Sequence, residues 1–306
     1  MSIDCIGQET EPALRWLELV QALEEGHLRP RAEVSDSFLY RGQDTVLSRS
    51  AWIDGLGIAV KTATIFPGNR DCPSINGGVA LYADQDGRLE ALLDFHLVTR
   101  WKTAGDSLLA ARRLARKDAS RITLVGAGQV ADSMVQAYTA GFPGARFRVW
   151  NRNPERARRF AEAHPAVTVA ASLEEAVRWA DIICTCTMAT DPVVSGRWLQ
   201  PGQHLDLIGA YRPDMREVDD EALLRARIFV DSRETTLGHI GELRIPLETG
   251  VIGPGDVQAD FYGIASGAFA RRSDSEITLA KNGGGAHLDL MTARYILQRW
   301  RQGSPT

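Results

Sequence analysis

The chain has 306 residues, 44% of them hydrophobic, which is enough for a sizeable core and, by length, for two domains. Its 35 basic and 39 acidic residues give a formal net charge of -4, which excludes the strong positive field of a nucleic-acid or anionic-membrane binder. No signal peptide and no run of about 18 apolar residues is recognisable.

The spacing of the four cysteines bears on the redox state of the cellular compartment. They lack paired CxxC spacing, so we expect reduced thiols and no metal site. Together with the missing signal peptide, this favours a cytoplasmic protein. The four residues concerned are Cys5, Cys72, Cys184 and Cys186.

The first third of the chain predicts one helix followed by a mixed sheet. Leucines recur at helical spacing over residues 11–25, and Gly26 ends the pattern. Short β-type runs separated by turn sequences follow at 45–47, 57–66, 78–83 and 89–95. A helical stretch then covers about 104–116.

From residue 121 onward, strand and helix patterns alternate. Parallel strands need such long crossovers, so the alternation predicts a doubly wound α/β domain. A final amphipathic helix is expected at 288–301, after a glycine-rich loop at 283–285. The six strand candidates are ITLVGAG (122–128), FRVWNR (147–152), VTVA (167–170), DIICTCT (181–187), HLDLIGA (204–210) and ARIFVDS (226–232).

A dinucleotide-binding turn follows the first of these strands. Gly126 permits a tight turn, Gly128 lets a pyrophosphate approach the backbone, and Ala131 lets the helix pack on the strand. The pyrophosphate would meet the N–H groups of the helix N-terminus. The predicted cofactor-binding residues of this turn are Gly126, Ala127, Gly128, Gln129 and Val130; Thr187, at the end of the strand 181–187, is added to them.

The end of the second strand predicts which dinucleotide is preferred. An NAD site normally has an acidic residue there for the ribose 2′-hydroxyl, whereas this chain has Asn151 and Arg152. Arginine can bind a 2′-phosphate with paired donors, and asparagine can add another. We therefore expect NADP(H) to be preferred over NAD(H), with a surface role for Arg152 as the alternative.

The chain resembles the ornithine cyclodeaminase and mu-crystallin family over nearly its whole length. The resemblance implies a Rossmann domain inserted into an α+β domain built from both chain ends, and a homodimer. It places the NADP(H)-binding domain at 120–285, and the substrate-binding and dimerisation domain at 1–119 plus 286–306. The matching segments are VKTATIFPGN (60–69), VTRWKTAGDSLLAAR (98–112), ITLVGAGQVA (122–131), VWNRNPERA (149–157), GAYRPDMREVDDE (209–221) and FVDS (229–232).

Two basic residues would face the substrate if the resemblance holds. Family members exchange a hydride between a nicotinamide and the Cα of an amino acid or cyclic imino acid. Lys61 matches the family lysine, and Lys102 occupies a position where arginine is usual, so it keeps the charge but loses the bidentate fork. Both are candidate catalytic residues. A third cation, Arg49 or Arg31, would bind the substrate carboxylate, with Arg49 favoured because it precedes the sheet segment of Lys61.

The residue type at position 211 distinguishes two activities within the family. Ornithine cyclodeaminases have an aspartate there, whereas a tyrosine is a poor anionic partner for an ammonium group. A simple reductase is therefore favoured, with Tyr211 as a substrate-binding candidate. The acidic residues nearby are expected to be solvated: Asp214, Glu217, Asp219 and Asp220.

Three further residues carry expectations from the same resemblance. His287 lies in the loop expected against the nicotinamide, with packing as its alternative role. Asp289 fits the final acid of the family pattern S-x-G-x-A-x-x-D. Asp106 is interpreted either as a residue at a helix start or as a partner of the substrate amine.

The sequence thus favours an NADPH-dependent reductase of a small cyclic ketimine carboxylate, such as pyrroline-2-carboxylate or piperideine-2-carboxylate. An ornithine cyclodeaminase or related amino-acid dehydrogenase is the first alternative, and a non-catalytic, crystallin-like NADPH-binding protein is the second. A small imino or amino acid is the expected partner, with neither nucleic acid nor membrane.

Overall fold

The structure is a computed structural model and describes residues 3–303. The chain forms two compact units. The first comprises residues 3–105 and 284–303, and the second runs from Asp106 to Gly283. The division therefore falls inside a helix, Phe95–Leu114, whereas the sequence placed it at 119/120. Among residues 3–303, no helix is both long and apolar enough to cross a bilayer.

A six-stranded sheet forms the body of the first unit. Its strand order is β1-β6-β5-β4-β3-β2; β1 and β6 are parallel and all other neighbours are antiparallel, so the predicted mixed sheet is confirmed. The strands are β1 (Asp4–Ile6), β2 (Glu33–Arg41), β3 (Asp44–Ile53), β4 (Gly57–Ile65), β5 (Ile75–Tyr82) and β6 (Leu89–Asp94). The helices are α1 (Trp16–His27), the start of α2 (Phe95–Leu114) and α9 (Ala286–Gly303).

The core of this unit lies between the sheet and α9. Side chains of β4 alternate between buried and half-buried, as expected for a strand with one face covered. Helix α9 packs across β3 and β4 and against α1, and most of its first three turns are buried. The sheet thus places every second residue of β4, Lys61 among them, on the covered face.

Helix α2 begins earlier than the sequence predicted. We expected a strand up to residue 95 and a helix from 104, whereas the helix starts at Phe95. The Asp94 carboxylate accepts a hydrogen bond from the N–H of Leu97 at 2.7 Å, which is the action of an N-cap. The apolar and β-branched residues of 95–103, among them Phe95, Val98 and Thr99, conceal this start. Strands β1 and β2 were also missed.

An eight-stranded parallel sheet forms the second unit, in the order β13-β12-β14-β11-β10-β7-β8-β9. The strands are β7 (Arg121–Val125), β8 (Arg146–Trp150), β9 (Val167–Val169), β10 (Ile182–Thr185), β11 (His204–Leu207), β12 (Ala226–Val230), β13 (Val257–Ala259) and β14 (Ile277–Lys281). The helices are the end of α2, α3 (Gln129–Gly141), α4 (Pro154–Ala163), α5 (Leu173–Trp179), α6 (Asp220–Arg225), α7 (Arg233–Thr236) and α8 (Gly241–Glu248).

This unit is a doubly wound Rossmann fold, as the sequence predicted. Strands β10, β11 and β14 are buried along their whole length because helices cover both faces of a parallel sheet. The strand order reverses between β7 and β10, and in such sheets ligands bind beyond the carboxyl ends of the strands at that reversal. The six predicted strands are present; β13 and β14 were missed.

Candidate active site

The glycine turn between β7 and α3 has the geometry of a phosphate-binding turn. Gly126 has φ 119°, and a Cβ on it would lie 2.7 Å from the carbonyl oxygen of Cys186. No other residue type fits both restrictions. Ala131, at the third small position, is fully buried where α3 meets the sheet.

The same turn leaves room for a ligand at Gly128. A Cβ built on Gly128 would meet nothing within 4 Å, and Gly128 makes no side-chain cap on α3. The first N–H groups of this 13-residue helix are therefore available to an anion. Gln129 is exposed, and Ala127 and Val130 are half-buried. These residues fit the pyrophosphate of a dinucleotide.

The end of β8 presents a cation and no carboxylate. The Arg152 side chain is exposed and makes no hydrogen bond or ion pair with the described part of the chain. The amide nitrogen of Asn151 donates to the carbonyl of Asn153 at 3.0 Å, and Asn153 caps α4. Asn151 thus stabilises the turn that presents Arg152.

A buried carboxylate that the sequence interpretation missed lies at the ends of β10 and β11. Glu217 is fully buried, so the expectation that it is solvated is wrong. Its Oε1 accepts hydrogen bonds from the N–H and the hydroxyl of Thr187, both at 2.7 Å. Its Oε2 accepts from the Thr185 hydroxyl at 2.7 Å and from the N–H groups of Gly209 and Ala210 at 2.8 and 3.2 Å.

Asp219 was likewise expected to be solvated but caps α6. Its Oδ1 accepts hydrogen bonds from the N–H groups of Gly196 and Ala222, and its Oδ2 accepts from the Ser195 hydroxyl at 2.7 Å. The expectation of solvation holds for Asp214 and Asp220, which are exposed. Spacing in the sequence could not separate these four acids, because only the fold decides which of them point inward.

In the first unit, Lys61 forms a buried ion pair. Its Nζ lies 2.9 Å from Oδ1 of Asp289, and it also lies 4.7 Å from the ring centre of Phe95. Both charged side chains are less than 10% exposed. Asp289 Oδ2 has no hydrogen-bond partner within residues 3–303, which leaves an acceptor atom for a ligand.

Two further cations lie in the same cluster. Arg49 is the register partner of Lys61 between β3 and β4, as expected from its position before that strand. Its guanidinium donates to the carbonyl of Gly284 at 2.8 Å and forms an ion pair with Asp36. Lys102, also buried, donates to the same carbonyl at 3.3 Å. We call Arg49, Lys61, Lys102 and Asp289 the cationic cluster.

The charges of this cluster shift the pKa values of its members. Burial lowers the pKa of Lys61 to about 8; the carboxylate of Asp289 opposes the shift, and the charge of Lys102 adds to it. Burial alone would raise the pKa of Asp289, but the charges of Lys61, Lys102 and Arg49 outweigh it and hold this pKa below its ordinary value. Asp289 is therefore ionised and Lys61 titrates within reach of neutral pH.

Four other sequence candidates have different surroundings. Arg31 is exposed in the loop after α1, and its charge acts on His27. His287 is buried in α9, with its ring edge-on to that of His27 at 5.3 Å. Asp106 is buried inside α2, so its interpretation as a helix-start residue is wrong. Tyr211 is 55% exposed.

Comparisons with known proteins agree with this architecture. A Δ1-pyrroline-2-carboxylate reductase of Paracoccus denitrificans (strain Pd 1222) is 49% identical over 291 residues, which cover 92% of each chain. The structure of Thermococcus litoralis Δ1-pyrroline-2-carboxylate reductase in complex with NADH and L-proline superposes with a TM-score of 0.90, at 27% identity, over 99% of each chain. An archaeal alanine dehydrogenase dimer with bound NAD also gives 0.90, at 26% identity, over 100% of this chain and 98% of that one.

The family assignment rests on most of the chain. Residues 53–304 match the model of the ornithine cyclodeaminase/mu-crystallin family. This range includes both the glycine turn and three members of the cationic cluster, Lys61, Lys102 and Asp289. The chain belongs to the ornithine cyclodeaminase/mu-crystallin family.

Proposed function

We propose that this protein is an NADPH-dependent reductase of a small cyclic ketimine carboxylate, such as pyrroline-2-carboxylate or piperideine-2-carboxylate. The observation that carries the proposal is the cationic cluster: three cations and one ionised carboxylate in a fold that has a dinucleotide turn. The 49% identical pyrroline-2-carboxylate reductase supports the same reaction. The product is a cyclic amino acid such as proline.

The cations bind the substrate carboxylate in this proposal. Arg49 is paired with Asp36 and Lys61 with Asp289, so Lys102, which donates to the Gly284 carbonyl at 3.3 Å, supplies the charge with the most freedom to meet an anion. A lysine ammonium binds as a point charge without the fixed fork of arginine, which suits a cluster whose members share one ligand. Lys102 therefore has carboxylate binding as its main role.

Proton handling falls to Lys61 and Asp289. Protonation of the imine nitrogen gives an iminium, whose C=N carbon would take up the hydride that a bound reduced nicotinamide supplies. The nitrogen therefore needs its proton before hydride transfer. A lysine with a pKa of about 8 can deliver that proton near neutral pH. The free Oδ2 of Asp289 can accept a hydrogen bond from the resulting N–H and stabilise the iminium before reduction.

Cyclodeamination is disfavoured by the residues after β11. Tyr211 replaces the aspartate that the reaction needs, and its side chain is exposed. The nearby Asp214 forms an ion pair with Arg212, and Glu217 is occupied by five hydrogen bonds. None of these carboxylates is free to exchange protons with the two amines of ornithine.

NADP(H) is the proposed cofactor in preference to NAD(H). The preference rests on Arg152, which is exposed without a protein partner at the position where the 2′-phosphate is expected. The two solved structures compared above contain NADH and NAD, so this chain would differ from them at the adenosine end of the cofactor.

A homodimer is the proposed assembly. Strand β2 ends the first sheet and exposes Phe38, Leu39 and Tyr40 by 48%, 71% and 73%. An edge strand with large exposed apolar side chains is typical of a surface that another chain covers. The dimeric archaeal alanine dehydrogenase supports a second copy of the chain as that partner.

The cytoplasm is the proposed location. All four cysteines are free thiols, and two of them, Cys5 and Cys72, are exposed. Exposed free thiols persist where the medium is reducing.

A panel of cyclic imines and amino acids tests the activity. We expect pyrroline-2-carboxylate or piperideine-2-carboxylate to cause stoichiometric oxidation of NADPH, followed at the nicotinamide absorbance band. The variant Lys102→Met should raise the KM for the imine at least tenfold, since it removes a charge from the carboxylate site. Release of ammonia from ornithine without net consumption of cofactor would instead identify a cyclodeaminase. Cofactor binding without any turnover would identify a binding protein.

A further inference from the structure

We propose that Glu217 is a positioning residue for the cofactor turn: its buried carboxylate holds the chain beyond β10, which in turn supports Gly126. The inference rests on the proposed function, because it assumes that the dinucleotide binds at this turn. Nothing in the sequence pattern assigns Glu217 this role, and its carboxylate bonds to the ends of β10 and β11, not to the glycines of the turn.

Five hydrogen bonds converge on the carboxylate of Glu217. They come from Thr185 and Thr187 at the end of β10 and from Gly209 and Ala210 beyond β11. Glu217 is fully buried. A buried carboxylate is costly unless its oxygens are satisfied, so these five donors have to stay in place around it.

The chain segments that follow β10 and β11 pack closely against each other. A Cβ on Gly209 would lie 2.2 Å from the carbonyl oxygen of Thr187 and 2.4 Å from Oε1 of Glu217. The backbones of Thr187 and Gly209 are therefore in direct contact, and the carboxylate fixes both. The two chain segments cannot move apart without breaking hydrogen bonds to Glu217.

Cys186 connects this contact to the cofactor turn. The N–H of Cys186, next to Thr187, donates to the carbonyl of Val125 at 2.8 Å. The Cys186 carbonyl oxygen is the atom that a Cβ on Gly126 would approach to 2.7 Å. A displacement of Thr187 would thus reach the first glycine of the turn through one residue.

Glu217 is itself held from behind. The N–H groups of Glu217 and Val218 donate to the two carboxylate oxygens of Glu242 at 2.7 and 3.1 Å. Glu242 lies in α8 and is fully buried. The backbone that presents Glu217 is therefore fixed by a second element of the same unit, as a positioning residue requires.

The test compares Glu217→Gln with a matched control in the same segment. The glutamine keeps the size of the side chain but replaces one acceptor oxygen with an NH₂ group. If the amide oxygen of the glutamine takes the place of Oε2, its NH₂ group takes the place of Oε1 and faces the N–H of Thr187. Two donors then meet, so the segment around Thr187 has to move. The control is Asp219→Asn, two residues away, where the carboxylate holds Ser195, Gly196 and Ala222 instead of the strand ends.

We expect Glu217→Gln to raise the Kd for NADPH, measured by fluorescence titration, by about tenfold or more. Its KM for NADPH should rise more than its KM for the imine. Asp219→Asn should lower the melting temperature but leave the Kd for NADPH within about twofold of the wild-type value, since its carboxylate bonds to Ser195, Gly196 and the start of α6 and not to the ends of β10 and β11. A merely structural role for Glu217 would affect stability alone.

Thr185→Val is the second variant, for use if Glu217→Gln does not fold. The threonine hydroxyl donates to Oε2 of Glu217, and valine has the same shape without the donor. A rise of about threefold in the Kd for NADPH supports the proposal. An unchanged Kd in a folded Glu217→Gln or Thr185→Val variant, or an equal rise in Asp219→Asn, would overturn it. If the wild-type protein binds no nicotinamide cofactor at all, the proposed function fails first, and the positioning role fails with it.

Discussion

Lys61 shows how one residue combines a structural and a chemical role. Its ion pair with Asp289 is buried, so removing the lysine would leave the buried carboxylate without its hydrogen-bonded partner. The loss of one partner of such a pair costs about 3–5 kcal/mol. A variant that keeps the charge is therefore needed to separate catalysis from folding.

Lys61→Arg provides that separation through the pH dependence of the reaction. Burial lowers the pKa of Lys61 to about 8, so the protonated donor is lost as the pH rises through that value. We expect kcat/KM for imine reduction to fall above about pH 8 in the wild-type protein. Arginine stays protonated, so the variant should lose this decline together with much of its proton transfer, a drop of about 100-fold.

Rates measured from pH 6 to 10 at saturating cofactor check this prediction. The titration of the substrate imine affects both proteins equally and serves as the internal reference. An identical decline in both proteins would show that Lys61 is not the group that titrates.

One side chain, that of Arg152, is expected to set the preference for NADP(H) over NAD(H). Arg152→Ala should raise the Kd for NADPH about tenfold and leave the Kd for NADH unchanged, since only NADPH has the 2′-phosphate. Arg158→Ala is the matched control: Arg158 lies on α4, 62% exposed, and pairs with Glu155. Equal losses of NADPH and NADH binding in Arg152→Ala would contradict the assignment.

At the scale of elements, the turn from β7 to α3 uses two glycines for different physical reasons. Gly126 is required by the backbone conformation, because its φ is 119° and a Cβ there would collide with the carbonyl of Cys186. Gly128 has an ordinary extended conformation, φ -113°, and open space around it. The first glycine is thus needed for the fold and the second for the ligand.

Alanine variants of the two glycines separate the requirement of the fold from that of the ligand. Gly126→Ala should destabilise the protein by about 1–3 kcal/mol, because it places a Cβ at positive φ against the Cys186 carbonyl. Gly128→Ala should keep the melting temperature of the wild-type protein and yet weaken NADPH binding at least tenfold, since the methyl group occupies the space of the pyrophosphate. Thermal unfolding and fluorescence titration of both variants provide the comparison. Tight NADPH binding by Gly128→Ala would show that the pyrophosphate lies elsewhere.

Elements also show where sequence reasoning failed. The start of α2 was missed because residues 95–103 have the composition of a strand, while Asp94, the residue that caps the helix, lies at the end of β6. Strand β2 was missed because its exposed residues lack the alternation of a half-buried strand. In both cases tertiary packing overrides the structure that the local sequence pattern predicts.

At the scale of the whole molecule, the exposed edge strand β2 is the surface that the proposed dimer would cover. Leu39 is 71% exposed at the centre of an apolar triplet, which would be an aggregation hazard on an isolated chain. Leu39→Glu should convert the proposed dimer to a monomer, as measured by light scattering after size exclusion. Leu224→Glu, at a leucine that is 67% exposed on α6, should leave the mass unchanged. A wild-type monomer would contradict the homodimer, and a dimeric Leu39→Glu variant would contradict the surface.

The sequence by itself determined the family, the doubly wound domain and the dinucleotide turn, because these depend on residues close together along the chain. A strand, a glycine turn and a helix N-terminus form a site within about 30 residues. It also identified Lys61 and Lys102 through the family resemblance. Tertiary structure decided which charged groups these residues meet. Asp289, 228 residues from Lys61, becomes its ion-pair partner, and Glu217 turns inward to hold the ends of β10 and β11. No periodicity or spacing encodes such pairs, since a carboxylate looks the same in a sequence whether the fold solvates it or buries it among donors.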